Sequence, residues 1–110
     1  MPQIIYTQRI TEDFQRLQGF LNETAPHKTT EAMQAIFDKI DMLLTLPKIG
    51  RVVPNDTLPN LRQLTIKWGK YGYVALYSYD ETEDLIVMET IRHARELEPK
   101  FLRSRNQDEN

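Results

Sequence analysis

The stretch from Leu61 to Tyr79, LRQLTIKWGKYGYVALYSY, decides the fold of this chain. Its branched and aromatic residues predict one strand from Leu61 to Trp68 and a second from Tyr71 to Tyr79, with glycines at the join. A third strand-like run, Leu85 to Arg92, follows the acidic link Asp80 to Asp84, whose length is typical of a hairpin loop. Three consecutive strands with short links predict an antiparallel meander.

The central strand of this meander has two different faces, because side chains alternate across a strand. One face carries Tyr71, Tyr73, Ala75, Tyr77 and Tyr79, and the other carries Val74, Leu76 and Ser78. We expect the aliphatic face to pack on helices, and the tyrosine face to point outward or into a groove.

Upstream of the meander, the sequence predicts a strand and a first helix. The run Gln3 to Thr7 is rich in branched and aromatic residues and predicts a strand. Thr11 is the expected N-cap of a helix in which Phe14, Leu17 and Leu21 recur at helical spacing.

A second helix is expected to begin at a cap formed by Thr29 or Thr30 and to end before Pro47. The link between the two helices is short and contains Pro26, so we expect an antiparallel helix hairpin. The segment from Arg51 to Asn60 is rich in Pro, Asn and Asp and predicts a loop.

The order of these elements predicts an α+β fold with the helices packed on one side of the sheet. A chain of 110 residues has room for one domain, which we expect to span residues 1–103. Arg95 to Phe101 are expected to form a short final helix, and residues 104–110 a polar, disordered tail.

The composition excludes several classes of protein and site. The sequence has no cysteine, which excludes a disulfide framework, a thiolate metal site and a cysteine nucleophile. Met1 to Arg9 contains no signal-peptide pattern. No stretch approaches the roughly 18–20 apolar residues of a membrane span. We therefore expect a soluble cytoplasmic protein with no membrane association. No metal-ligand spacing or Gly-rich phosphate loop is present, so no metal or cofactor is expected.

Charge is unevenly distributed along the chain. The net charge of −2 and the pI of about 5.7 argue against tight binding to nucleic acid, since phosphate contacts favour basic proteins. Between Lys48 and Tyr79, however, five basic residues accompany one acidic residue. This excess predicts a local basic face.

Three segments carry a family signature through their order and spacing. LLTLPKIGR, Leu43 to Arg51, is a leucine-rich helix end followed by Pro, a small-residue turn and Arg. The segment from Leu61 to Tyr79 begins with Leu-Arg-x-Leu, and IVMETIRHARE, Ile86 to Glu96, ends a strand in His-x-Arg. Together they resemble the RelE/ParE superfamily of bacterial toxins over Ile5 to Phe101. The resemblance implies a toxin of a type II toxin–antitoxin system that binds a cognate antitoxin, and it leaves open an oligomer with that antitoxin.

The resemblance also implies one of two activities. ParE-like toxins poison DNA gyrase, whereas RelE-like toxins cleave messenger RNA on the ribosome. For RNA cleavage the resemblance would assign the proton transfers and charge stabilisation to Lys67, His93 and Arg95. Val74 stands where that branch places an arginine, and Phe101 where it places a tyrosine, so the ParE-like hypothesis is favoured.

A surface for the antitoxin or the target is expected to combine basic and aromatic side chains, which are common anchors of protein interfaces. The candidate residues are Arg51, Arg62, Lys67, Trp68, Lys70, Tyr71, Arg92 and Arg95. Alternatives stay open: the basic residues could form a solvated face, Trp68 could be a core or rim residue, and His93 could be a structural histidine that closes the last strand. A non-toxic interaction module is the third functional hypothesis.

Overall fold

The computed structural model describes residues 1–55 and 57–96 of the chain. Its elements are β1 Gln3–Tyr6, α1 Gln8–Thr24, α2 Thr29–Asp41, β2 Arg51–Val52, β3 Leu61–Ile66, β4 Tyr73–Asp80 and β5 Leu85–His93. Short 3-10 turns, Pro26–Lys28 and Met42–Leu44, precede and follow α2. The predicted α+β fold is confirmed. Residues 97–110, which include most of the predicted final helix and the predicted tail, lie outside the described residues, and the antiparallel direction of the two helices stays a prediction.

The five strands form one sheet in the order β1-β5-β4-β3-β2. β3, β4 and β5 form the predicted antiparallel meander, and β1 pairs in parallel with β5. β2 pairs with the start of β3, with Arg51 opposite Gln63. The prediction that Arg51 to Asn60 is entirely loop was therefore wrong at its first two residues. A strand this short is defined by its pairing partner and has no periodicity that a sequence pattern could reveal.

α1 begins one turn earlier than predicted. Thr7 is the N-cap, because its Oγ1 accepts the N–H of Ile10 at 3.2 Å and donates to the carbonyl of Met88 at 3.0 Å. Thr11 lies inside the helix, where its hydroxyl donates to the Thr7 carbonyl at 3.1 Å. The earlier start brings Ile10, which is fully buried, into the core-facing stripe of the helix.

The predicted threonine cap of α2 was also wrong. Lys28 occupies the N-cap position, and no side chain there accepts a helix N–H. Thr29 is the first helical residue, and its hydroxyl is buried without a hydrogen-bond partner in the described part of the chain. Instead, the 3-10 turn Pro26–Lys28 leads directly into this helix.

β4 buries most of the tyrosine face, which was predicted to point outward or into a groove. Tyr73, Ala75 and Tyr77 belong to the main core cluster, together with residues of both helices. Tyr71, which precedes the strand, is 46% exposed, and Leu76 is buried outside this cluster. A tyrosine ring brings a large apolar area into a core, provided that its hydroxyl finds a partner there.

Tyr77 shows how such a partner is supplied. Its hydroxyl donates to the Pro47 carbonyl at 2.7 Å and accepts the N–H of Gly50 at 2.9 Å. A Cβ atom at Gly50 would lie 2.7 Å from the Tyr77 ring, so this close approach requires glycine. Burial raises the pKa of Tyr77, against the opposing effects of the Gly50 hydrogen bond and the Arg62 charge, so the phenol keeps the proton that it donates.

We expect Tyr77→Phe to lower the free energy of unfolding by about 1–3 kcal/mol, because the buried N–H of Gly50 loses its acceptor. Urea denaturation followed by circular dichroism measures the change. Tyr71→Phe is the matched control, expected to change stability by less than about 0.5 kcal/mol because Tyr71 is half exposed. Equal effects of the two substitutions would mean that the Tyr77 hydroxyl does not hold the loop after α2.

Candidate functional site

A cavity of about 770 Å³ lies between the second half of α1 and the turn that joins β3 to β4. This volume is within the range of about 300–1,000 Å³ that is typical of ligand-binding clefts. Its main apolar and aromatic lining residues are Leu17, Phe20, Leu21, Trp68, Tyr71 and Tyr73. Its charged lining residues are Arg16, Lys28, Lys70, Arg95 and Glu96. The cavity is therefore mostly apolar, with an excess of positive charge.

The turn from β3 to β4 positions one wall of this cavity. Tyr71 lies in that turn and contacts two cations: Lys70 Nζ is 5.5 Å and Arg95 Cζ is 4.8 Å from the centroid of its ring. Both distances are within the range of about 6 Å at which a cation is attracted to an aromatic face. Trp68 lies at the start of the turn, where it lines the cavity and also packs against the core cluster.

His93 ends β5 beside these rings. Its imidazole contacts Tyr71 and Tyr73 edge-on, with ring centroids 6.0 and 5.6 Å apart. Its Nδ1 accepts the N–H of Arg95 at 3.2 Å, which requires the lone pair of that nitrogen. Nε2 is therefore the ring nitrogen left to form a hydrogen bond with a ligand.

Arg16 joins α1 to the turn after β5. Its guanidinium donates to the Glu96 carboxylate through two nitrogens, at 3.1 and 3.2 Å, and to the Asp13 carboxylate at 2.6 Å. Glu96 also accepts the N–H of His93 at 2.7 Å. This network holds the turn that carries Arg95 against the helix that carries the opposite wall of the cavity.

The cavity includes residues that sequence analysis missed. Phe20 was not part of the predicted stripe of α1, although it lies three residues after Leu17 and so beside that stripe, and it is 60% exposed. Arg16 and Glu96 are separated by 80 positions, and no local pattern indicates that they pair.

Of the predicted site residues, the cavity brings together Trp68, Lys70, Tyr71, His93 and Arg95. Lys67 lies elsewhere, in a shallow groove beside α2 that Asp38 and Met42 also line. The groups proposed for RNA cleavage are thus divided between two concave surfaces.

The remaining basic residues are engaged with backbone or amide groups outside the cavity. Arg51 donates to the Gln63 side chain at 3.2 Å, and Arg62 donates to the Gly50 carbonyl at 2.7 Å. Arg92 donates to the Glu96 carbonyl at 3.0 Å. The predicted basic face is therefore distributed over separate parts of the surface.

The central strand supplies neither an arginine nor a basic phenolate to the cavity. Val74 pairs with Arg92 in the β4–β5 ladder, and Tyr73 pairs with His93. Burial, followed by the negative charge of Glu96, raises the pKa of Tyr73, which keeps its phenol protonated at neutral pH. Phe101 lies outside the described residues.

The part of the chain that the structure describes contains neither a metal cluster nor a membrane-spanning helix. Within it, no three His, Asp or Glu side chains lie close enough together to hold a metal ion. In the same residues, neither helix is long and apolar enough to cross a bilayer.

Comparison with known proteins gives one family. The model described as "ParE toxin of type II toxin-antitoxin system, parDE" matches residues 4–98. The chain is similar in structure to the chromosomal ParDE toxin–antitoxin system from P. aeruginosa, with a TM-score of 0.68, 19% sequence identity and coverage of 86% of this chain and 98% of that chain. No curated protein matches the sequence.

Two further solved structures share the fold. The intact E. coli RelBE toxin–antitoxin complex matches with a TM-score of 0.56 and 14% identity, covering 87% of this chain and 100% of that chain. The RelBE2 toxin–antitoxin complex from Mycobacterium tuberculosis matches with a TM-score of 0.51 and 16% identity, covering 84% of this chain and 99% of that chain. At these identities the structural similarity shows the fold alone.

Proposed function

The chain belongs to the ParE toxin family of type II toxin–antitoxin systems, and we propose that it arrests growth by poisoning DNA gyrase until a cognate antitoxin neutralises it. The match of the ParE family model over residues 4–98 carries this proposal. The proposal places the protein in the cytoplasm with its target, and in a complex with its antitoxin when it is inactive.

The distribution of chemical groups supports a protein-binding toxin over a ribonuclease. Metal-independent RNA cleavage needs a base, an acid and a charge-stabilising group around one phosphate. Here Lys67 lines the groove beside α2, whereas His93 and Arg95 line the cavity beside α1. Trp68 and Tyr71, which also line the cavity, are residue types that commonly anchor protein interfaces.

Ribosome-dependent cleavage of messenger RNA is the second candidate function, and one observation favours it. Tyr71 lies in contact with both Lys70 and Arg95, so the cavity offers an aromatic ring beside two cations. Such a combination can stack on a base and attract a phosphate. His93 would be the proton-transfer group nearest to this ring.

The proposed function predicts that the purified protein stops supercoiling by gyrase and causes cleaved plasmid DNA to accumulate. Adding the purified product of the adjacent gene should restore supercoiling at about one equivalent. The control is the same titration with gyrase omitted, in which the plasmid stays intact.

Two results would contradict the proposal in different ways. Unaffected gyrase together with cleavage of messenger RNA in a translation reaction would assign the chain to the ribonuclease function, with Lys67→Ala and Arg95→Ala as the first variants to lose cleavage. Unaffected gyrase, intact RNA and normal growth on induction would identify a non-toxic interaction module.

A further inference from the structure

The two edges of the sheet are protected from other chains to different degrees. β2, at one edge, is two residues long and begins with the charged residue Arg51. β1, at the other edge, is the four residues Gln3–Tyr6, which include neither a charged residue nor a proline. Very short strands, charged side chains and prolines are the usual features that keep an edge strand from pairing with another chain. β1 is therefore the edge that is open to pairing.

The hydrogen bonds of β1 show which of its backbone groups are available. The N–H groups of Gln3 and Thr7 donate to carbonyl oxygens on the β5 side, at 3.1 and 3.3 Å. Backbone groups alternate in direction along a strand, so the N–H and C=O groups of Ile4 and Tyr6 point to the outer edge of the sheet. Among the residues that the structure describes, no other strand pairs with that edge.

The side chains of β1 divide between the two faces of the sheet. Ile4 packs against the core cluster, and Tyr6 contacts Phe37 of α2 with the ring centroids 6.5 Å apart. Ile5 lies on the opposite face beside Val87 and is 42% exposed. A branched apolar side chain on an uncharged edge gains free energy when a strand that pairs there brings a similar side chain against it.

We propose that two copies of this chain associate by antiparallel pairing of their β1 strands about a two-fold axis at Ile5, which joins their sheets into one continuous sheet. In this register Ile4 of each copy lies opposite Tyr6 of the other, so the outward N–H and C=O groups of both residues are paired. Ile5 lies opposite the Ile5 of the second copy in a pair without hydrogen bonds, the kind in which side chains approach most closely. The contact is the same patch on both copies, so the assembly closes as a dimer.

A second copy fits this edge better than a long strand from another protein. Pro2 has no N–H, and α1 begins at Gln8, so the outward donors of the strand are confined to Ile4 and Tyr6. The two-fold register pairs these donors and the matching carbonyls in both copies. A longer strand would extend past them and leave its own flanking N–H and C=O groups without a strand partner. The inference goes beyond the proposed function and does not depend on it.

Sedimentation velocity of the purified full chain tests the proposal. The interface is small, so the fraction of dimer should rise with protein concentration over about 10–500 µM. Ile5→Lys and Ile5→Glu should each weaken self-association by at least about tenfold, because two like charges then meet on the axis. An equimolar mixture of these two variants should form a dimer with one copy of each, since the charges on the axis are then opposite. Val52→Lys, at a 57% exposed position in β2, is the matched control and should dimerise within about twofold of the wild type.

Three results would overturn the inference. The first is a wild-type chain that stays monomeric at the highest concentration. The second is a dimer that both Ile5 variants retain or that Val52→Lys disrupts. The third is the absence of a dimer when the Lys and Glu variants are mixed, which excludes pairing across Ile5. The gyrase titration is read separately, so a failure of the proposed function leaves the sedimentation result standing, and the reverse holds as well.

Discussion

Asp13→Ala is expected to lower the free energy of unfolding by roughly 3–5 kcal/mol. The Asp13 carboxylate is largely buried and accepts three hydrogen bonds: from the Thr90 hydroxyl at 2.5 Å, the Ile91 N–H at 3.0 Å and the Arg16 guanidinium at 2.6 Å. Alanine leaves the Thr90 hydroxyl and the Ile91 N–H without their acceptor at the contact between α1 and β5. Urea denaturation followed by circular dichroism measures the loss.

A neighbouring carboxylate on the same helix provides the control. Glu12 accepts one exposed hydrogen bond, from the Gln8 amide at 3.2 Å, so Glu12→Ala should change stability by less than about 0.5 kcal/mol. Asp13→Asn should fall between the two alanine variants, because the amide oxygen keeps acceptor capacity for the Ile91 N–H. If Asp13→Ala were no more harmful than Glu12→Ala, the contact between α1 and β5 would depend on apolar packing alone.

Local patterns were sufficient to predict most helices and strands, because the alternation of apolar residues in a strand and their spacing in a helix can be seen within a short stretch of sequence. Short links also predicted that β3, β4 and β5 are neighbours, but the sequence could not indicate where the two outer strands, β1 and β2, pair. β1 lies beside β5, with Gln3 opposite Leu85, and β2 lies beside β3. These pairings join segments that only the folded chain brings together.

Alternation also identifies two faces of a strand without saying which one is buried. In β4 the aliphatic residues favoured one assignment, but the fold buries the face with Tyr73 and Tyr77. That choice depends on partners from distant segments, such as the Pro47 carbonyl and the Gly50 N–H that satisfy Tyr77. A tyrosine becomes a core residue where the fold supplies such partners, and a sequence pattern does not contain them.

The candidate site was predicted only in part for the same reason. Trp68, Lys70 and Tyr71 lie within four consecutive residues, and their basic and aromatic character indicated a binding surface. Arg16 and Phe20 belong to the site because α1 packs against β5. The cavity forms only when α1 packs on the sheet, so no local sequence pattern could indicate the wall that α1 contributes.

The geometry of the β3–β4 turn, which forms the wall with Trp68 and Tyr71, depends on Gly72. Its φ angle is +75°, and an added Cβ would lie 2.3 Å from the Ile66 carbonyl oxygen. The left-handed conformation costs an alanine about 1–2 kcal/mol, and relief of the contact costs roughly another 1–3 kcal/mol. Gly72→Ala should therefore lower the free energy of unfolding by roughly 2–5 kcal/mol, as measured by urea denaturation.

Substitutions at two other glycines distinguish the cost of the left-handed conformation from the cost of the contact with Ile66. Gly69 has a φ angle of +59° but no atom within 4 Å of an added Cβ, so Gly69→Ala should lose only the conformational cost of about 1–2 kcal/mol. Gly19 lies in α1 with open space around it, so Gly19→Ala should raise stability by roughly 0.5–1 kcal/mol. If Gly72→Ala lowered the free energy of unfolding by no more than Gly69→Ala, the Ile66 carbonyl would be able to move away from the added Cβ at little cost. The cavity wall would then be held by the ring contacts of Tyr71 and not by the backbone of the turn.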